Sequence, residues 1–386
     1  MRRASFELMK KINQNLILKN IYNYRMISRA KIAEITGLSP ATVSNIAKEL
    51  LELDLIKESS RGKSRGGRKP VLLELNAEGA FFIGLEWGIM DIKAVLMDFN
   101  KNIIDYQKHG IKNYSLDNFI EISKNIISSF EKDIDISRIY GLGFGLHGVV
   151  DPKKGLSLFA PHFQWKNLSV KKELEKEFPY PIFIDNDVRV MALAEKWNTH
   201  QDFIFVNTGS GIGAAIVIED KLLKGFDYSA GEFGHMSIVE ESPRCSCGNI
   251  GCLEALISTK SLLKKYNNNL RTNISLLDLR NEWKTLLEDF FTGKEEAKSI
   301  LKEAGRYLGI GLANLVNLIN PEEIIIGGDF VQVDEFLLDI IKEMVLKRSL
   351  QIPAKSIDIS FTSFGEKVGA IGAATLVLQE IFKVEE

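Results

Sequence analysis

Residues 231–254, GEFGHMSIVEESPRCSCGNIGCLE, constrain the fold more than any other stretch of this chain. They contain His235, Cys245, Cys247 and Cys252, and these three cysteines are the only ones in 386 residues. Thiolate and neutral imidazole are the donors zinc prefers in closed tetrahedral sites. One histidine and three cysteines within eighteen residues therefore make a complete structural set, with no position left for a bound water. One structural zinc per chain would hold an irregular, Gly-rich loop in a single shape, contributing to folding rather than catalysis. The C-x-C-x4-C spacing, with Gly248 and Gly251 inside it, suits a chain turning tightly about an ion. Small buried thiols, or a redox pair with a spare, are the other uses of such a cluster. Glu232 and Glu254 bracket the loop, so a fixed loop would aim both carboxylates into one pocket.

The charge is divided unevenly along the chain. Residues 1–70 carry 15 Lys/Arg against six Asp/Glu, a net of +9, whereas the other 316 residues have a net of −11. A polyanion-binding head on a body with another task is expected. A hydrophobic fraction of 45% is that of a globular protein with two or three cores. The basic start MRRASFELMKKINQ has no apolar stretch of signal-peptide type, and no apolar run is long enough to cross a bilayer. A cytoplasmic protein without a membrane partner is expected, and clustered cysteines suit a reducing compartment.

Within the head, KKINQNLILKNIYNY has helical periodicity, Ser28 caps a second helix RAKIAEIT, and Gly37 ends it. Ser39, followed by Pro40, starts a third, with Val43, Ile46, Ala47 and Leu50 inward. Two short helices joined by Gly-Leu-Ser form a helix-turn-helix, with Ala33 and Gly37 at the small-residue and turn positions. Its second helix would enter the major groove. Ser39, Thr42, Ser44, Asn45 and Lys48 are the candidate DNA contacts, Asn45 being able to pair with an adenine edge. The following IKESSRGKSRGGRKPVLLELN has a strand at each end and a Gly-rich basic loop between, which is a wing. Arg61, Lys63, Arg65, Arg68 and Lys69 would contact phosphates or the minor groove from it.

From Ala80 the pattern changes to strands. FFIGLEWG, IKAVLMDF and NIIDYQKHG read as a meander, followed after a helix by YGLGFGLHG and by the strand-to-helix unit PIFIDNDVRVMALAEKW. A second round starts at DFIFVNTGSGIGAAIVIEDKLLKG and ends with EEIIIGG and a final strand-helix unit. Repetition of the plan predicts a bilobal body with a cleft, where strand ends such as Asp185-Asn186-Asp187 present functional groups. The helix EAGRYLGIGLANLVNLIN, apolar on more than one face, is read as core, with a subunit contact as its other use.

This order of motifs resembles the ROK family of repressors and sugar kinases, over essentially the whole chain. The stretches ISRAKIAEITGLSPATVS, GGRKP and CSCGNIGC are most similar to its xylose-repressor group. The resemblance implies an α/β fold: an N-terminal winged helix-turn-helix at residues 1–76, then an actin-like, sugar-kinase-type body. Its first lobe would comprise 77–188 plus 366–386 and its second 189–365, with the C-terminal helix returning to the first. It also implies a sugar pocket of Asn186, Asp187, Glu232, His235 and Glu254, with His235 both binding metal and orienting the pocket. Short carboxylates and amides on rigid turns suit ring hydroxyls. Asp187 is also a helix N-cap candidate.

In the family's kinases the aspartate matching Asp187 is the general base. Phosphoryl transfer further needs Gly-rich turns to cradle phosphates. The second such turn, Thr208 to Gly213, is intact, but where the kinases read D-I-G-G-T-K this chain has Glu86-Trp87-Gly88-Ile89-Met90-Asp91. Asp329 also stands where a small residue usually follows Gly-Gly. The expectation is a repressor that keeps the sugar pocket, retains Asp187 as a vestigial base and has lost the ATP half-site. Xylose or a related sugar would be the effector, and operator DNA bound by a homodimer or higher oligomer the partner. A sugar kinase with a DNA-binding head, and a DNA binder that senses no free sugar, are the alternatives.

Overall fold

In the computed structural model, residues 2–61, 71–197, 199, 201–267 and 276–382 are described. The head starts with helix Arg2–Tyr24. Ser28 Oγ accepts from the Lys31 amide and caps helix Arg29–Thr36, and Gly37, at φ 70°, closes it by donating to the Ala33 carbonyl. Only a residue free to adopt a left-handed conformation ends a helix this way without strain. Ser39 then caps helix Pro40–Glu52 by accepting from Thr42 N at 3.1 Å, an arrangement worth about 1 kcal/mol. Val43, Ile46, Ala47 and Leu50 bury its inner face in a core that includes Ile17, Ile21 and Ile32. Strands Ile56–Arg61 and Val71–Leu75 pair antiparallel, and Ile27–Ser28 adds to the latter's other edge. This completes a winged helix. The predicted wing tip, with Lys63, Arg65, Arg68 and Lys69, lies outside the described residues.

The body has two five-stranded sheets of related plan. In the first, Ile182–Asn186, Ile139–Leu146 and Phe81–Trp87 run parallel, and Asp91–Asp98 and Ile103–Gly110 continue it antiparallel. In the second, Asp358–Phe361, Glu323–Gly328 and Phe203–Thr208 run parallel, followed by Gly213–Ile218 and the short Lys221–Leu222. Helix Asp187–Glu195 packs across the C-terminal helix Val368–Phe382. The approach is close: a Cβ on Gly372 would stand 1.7 Å from the Val190 carbonyl oxygen, so a side chain there would force the helices apart. Helix Glu295–Ile319, which contains the EAGRYLGIGLANLVNLI run, buries Leu308, Leu312 and Val316 in the core of the second half.

Head and body share a continuous apolar core. Tyr22 packs on Phe382 at 4.8 Å between ring centroids, and Lys101 Nζ lies over the rings of Tyr22 and Trp197. Arg138 of the body pairs with Asp54 of the head at 2.9 Å. One feature of the first half is absent from the sequence expectations: a three-stranded sheet of Val149–Asp151, Leu156–Ala160 and Trp165–Leu168. Among the described residues, no helix is long and apolar enough to cross a membrane.

Candidate functional site

The ends of parallel strands from both sheets line a cleft of about 820 Å³, and Asn186, Asp187, Glu232, His235 and Glu254 all face it. Strand Ile182–Asn186 delivers the first two. Asn186 Oδ1 accepts from the Arg189 amide at 3.0 Å, so the helix cap is Asn186, and Asp187 is the first helical residue. This differs from the capping role considered for Asp187. The Asn186 amide donates to the Gly148 carbonyl at 2.9 Å and to Asp187 Oδ1 at 2.7 Å, and Val188 N donates to the same oxygen. Behind them the Arg189 guanidinium holds Asp185 and the carbonyls of Tyr228 and Val150. Three fixed acceptors leave this buried cation no freedom, so the strand end is rigid.

The opposite wall is the cysteine loop. Its ends are joined by the bridge between Ser237 and Cys252 and by the Leu253 amide donating to the Met236 carbonyl. One ligand atom from each of His235, Cys245, Cys247 and Cys252 lies within 4.8 Å of the others. Cys247 Sγ and Cys252 Sγ are 3.7 Å apart, and Cys245 Sγ is 3.6 Å from His235 Nδ1. A disulfide needs about 2.05 Å, whereas sulfurs about 2.3 Å from a tetrahedral zinc stand close to the observed spacing. These four side chains can hold a metal ion. With Nδ1 turned to the thiols, His235 Nε2 lies 3.8 Å from the Glu232 carboxylate in the cleft. Burial raises Glu232 above the ordinary carboxylate range, and the nearby Glu254 and Asp187 charges add to this. Glu254 accepts from the Ile212 amide at 3.2 Å and from Ser246 Oγ at 3.3 Å, which ties the cysteine loop to the second glycine turn.

Two histidines also face the cleft without having been singled out. His147 follows strand Ile139–Leu146, and the register of Leu146 with Asn186 sets it beside Asp187. Its Nδ1 is 3.3 Å from Asp187 Oδ2, and its Nε2 is 3.1 Å from His162 Nδ1. Pairing of residue 146 with 186 is the signal that would have found it, and that pairing is visible only in the sheet.

The residues of the altered first turn also face the cleft. Ile89, Met90 and Asp91 line it, as expected from the altered turn, but Trp87 does not: it is fully buried, stacked on Phe119, with its indole N–H on Ser123. Strand alternation explains this, because Glu86 and Trp87 must face opposite sides. Lys93 Nζ lies 3.2 Å from Glu86 and 3.8 Å from Asp91, and Lys108 Nζ 3.6 Å from Asp91. From the second half, Arg280 donates to the Met90 carbonyl at 2.9 Å and pairs with Asp91 at 3.5 Å. Asp329 accepts from Thr259 Oγ1 and would be 3.2 Å from a Cβ on Gly209, so its carboxylate lies over the intact glycine turn. Burial raises it above its usual range. Cations here already have carboxylate partners, and a triphosphate would meet Asp91 and Asp329.

On the head, Ser39, Ser44, Asn45 and Lys48 lie exposed along helix Pro40–Glu52 and its cap, and Thr42 is half-buried with its hydroxyl 2.8 Å from Ser39 Oγ. Arg61 ends the strand that leads into the wing.

Known proteins agree with this architecture. Residues 82–380 match the ROK family. A xylose repressor of Caldicellulosiruptor bescii is 31% identical, with 98% of each chain covered. The crystal structure of a ROK family transcriptional regulator, a homologue of the Escherichia coli Mlc protein, superposes with a TM-score of 0.80 at 27% identity, covering 97% of both chains. A ROK family glucokinase from Streptomyces griseus, solved with glucose and AMPPNP, superposes at 0.68 and 25% identity, covering 99% of its own chain but 77% of this one. The kinase thus matches less of this chain than the regulator does, and the chain belongs to the ROK family with the full-length architecture of its transcriptional regulators.

Proposed function

We propose that this chain is a sugar-responsive transcriptional repressor that binds operator DNA through its winged helix and a free sugar, xylose or a close relative, in the cleft. One observation carries the reading: five polar side chains converge on the cleft, in which the cations Lys93, Lys108 and Arg280 are already paired with Asp91. Asn186, Asp187, Glu232, His235 and Glu254 hold the ring hydroxyls. Zinc on His235, Cys245, Cys247 and Cys252 fixes the segment 231–254, which carries three of them, so it acts on binding through geometry and supplies no reacting group. Asp187 is a sugar ligand here rather than a base, and the chain is not an enzyme.

The signal has a physical route. Asn186 and Asp187 begin the helix Asp187–Glu195, this helix crosses the C-terminal helix at Gly372, and Phe382 at the far end packs on Tyr22 of the head. Sugar bound between lobes 77–188 plus 366–386 and 189–365 favours one lobe arrangement, which repositions the head at residues 1–76. Operator affinity changes only by as much as the sugar distinguishes the two arrangements. In a homodimer, two heads match a palindromic operator. Ser39, Thr42, Ser44, Asn45 and Lys48 face the groove, and Arg61, Lys63, Arg65, Arg68 and Lys69 hold phosphates. The protein works in the cytoplasm, where its DNA is.

A thermal-shift screen of the zinc-loaded protein against free sugars, sugar phosphates and ATP tests this. Stabilisation by a free sugar and none by ATP is expected. Stabilisation by ATP together with sugar would restore the kinase reading, and silence across the panel would leave a DNA binder that senses no sugar.

A further inference from the structure

We propose that His147 and His162 form an imidazole subsite of the sugar cleft that selects among sugars and positions Asp187; this rests on the sugar-sensor reading above. The carboxylate wall of Glu232 and Glu254 can only accept hydrogen bonds. A sugar hydroxyl both donates and accepts, so a site that selects among sugars needs donors opposite those carboxylates, and the two imidazoles face the cleft where such donors are wanted.

The tautomers follow from the neighbours. Asp187 Oδ2, 3.3 Å from His147 Nδ1, is an acceptor, so Nδ1 carries a proton and donates. Asp187 Oδ1 is engaged by the Val188 amide and Asn186. Both oxygens of the carboxylate that would serve a kinase as base are therefore held, and its orientation is set from three sides. His147 Nε2 and His162 Nδ1, at 3.1 Å, share one hydrogen bond. Burial would lower His147, but the Asp187 carboxylate, with Glu254 and Glu232 beyond it, holds it above its ordinary value; burial and the neighbouring His147 push His162 down to about 4. The shared hydrogen bond makes the two rings one unit on the wall of the cleft, with the Nδ1 end of His147 fixed on Asp187.

The surroundings are built for this. His162 sits on the turn Pro161–Phe163 of the small three-stranded sheet, and Gln164, at φ 58°, closes that turn. Phe163 supports the His147 ring at 5.5 Å and rests in turn on Phe119 and Trp165. His147 also spans the cleft: a Cβ on Gly211 would meet His147 Cε1 at 3.8 Å and Glu254 at 3.3 Å. The imidazole of the first half therefore approaches the same point as the carboxylate of the second, and a ligand between them touches both.

Calorimetry of the full-length, zinc-loaded protein and of His147→Gln and His162→Gln, with D-xylose, D-glucose, L-arabinose and D-ribose as probes, tests the subsite. Losing one hydrogen bond weakens the preferred sugar by about 2- to 10-fold. The order of preference among probes differing at one hydroxyl should change as well. Affinities and ranking unchanged in both variants would overturn the subsite and leave the sensor intact. Absence of binding by the wild type to any probe would overturn the sensor reading and the subsite together. The imidazole ¹⁵N resonances of the folded wild type give a second readout: movement of those of His147 and His162 on saturation with the preferred sugar supports the proposal, and their constancy contradicts it.

Discussion

Replacing Cys247 by serine isolates the contribution of the metal, because Cys247 is the exposed member of the cluster and its loss leaves no cavity. The substitution removes one thiolate from four ligands held within 4.8 Å. For a site saturated at a thousandfold above its Kd, the bound ion stabilises the folded chain by about 4 kcal/mol. Unfolding entropy of about 2 cal/mol/K per residue over residues 82–380 converts this into a fall in Tm of about 7 °C. The assay pairs metal analysis with calorimetric melting, with and without chelator. Wild type should carry one zinc per chain and melt about 7 °C higher than both its chelated form and the variant. Chelator should leave the variant unmoved, since both perturbations remove one ion. Sugar affinity should fall with the metal, because His235 and Glu254 are placed by the same loop. A wild type purified without metal, or a variant that keeps a full equivalent, would refute the reasoning.

Other perturbations address the remaining links. Asn45→Ala should relax preference at one operator base by about 1–3 kcal/mol in a binding-site selection, and an unaltered preference would remove Asn45 from the groove. Arg65→Ala should weaken all DNA sequences alike and lower the slope of log K against log salt by about 1. The double change Ile89→Gly and Met90→Thr should not create ATP binding in a calorimeter, because Asp91 and Asp329 remain; micromolar ATP affinity would show that these two turn residues were all that had been missing. Gly372→Ala should cost about 1–3 kcal/mol in urea unfolding, since its Cβ meets the Val190 carbonyl oxygen.

Local chemistry was legible in the sequence, and contacts between distant strands were not. Ser28, Gly37 and Ser39 could be read because a cap depends on three or four neighbouring residues, and the cysteine cluster because its ligands are close along the chain. Burial of Trp87 was readable in principle from strand alternation, which places Glu86 and Trp87 on opposite faces. Asp91 and Lys93 share one face by the same rule. Arg280, which meets Met90 across 190 positions of sequence, had no local signature. His147 and His162 were missed because their roles depend on a parallel register and on a small sheet whose strands are only three to five residues long. The altered turn at Gly88–Asp91 was legible in the sequence, but the pairing of Asp91 with Lys93, Lys108 and Arg280 was not.

The central claim, that sugar in the cleft is felt by the head, is tested most directly by operator titration with and without saturating D-xylose or whichever probe sugar stabilises the protein. Operator affinity should change by about tenfold or more, sugar affinity should change by the same factor when operator is bound, and Tyr22→Ala should lose this coupling with sugar binding preserved. Operator affinity identical in the presence of a sugar that demonstrably occupies the cleft would contradict it.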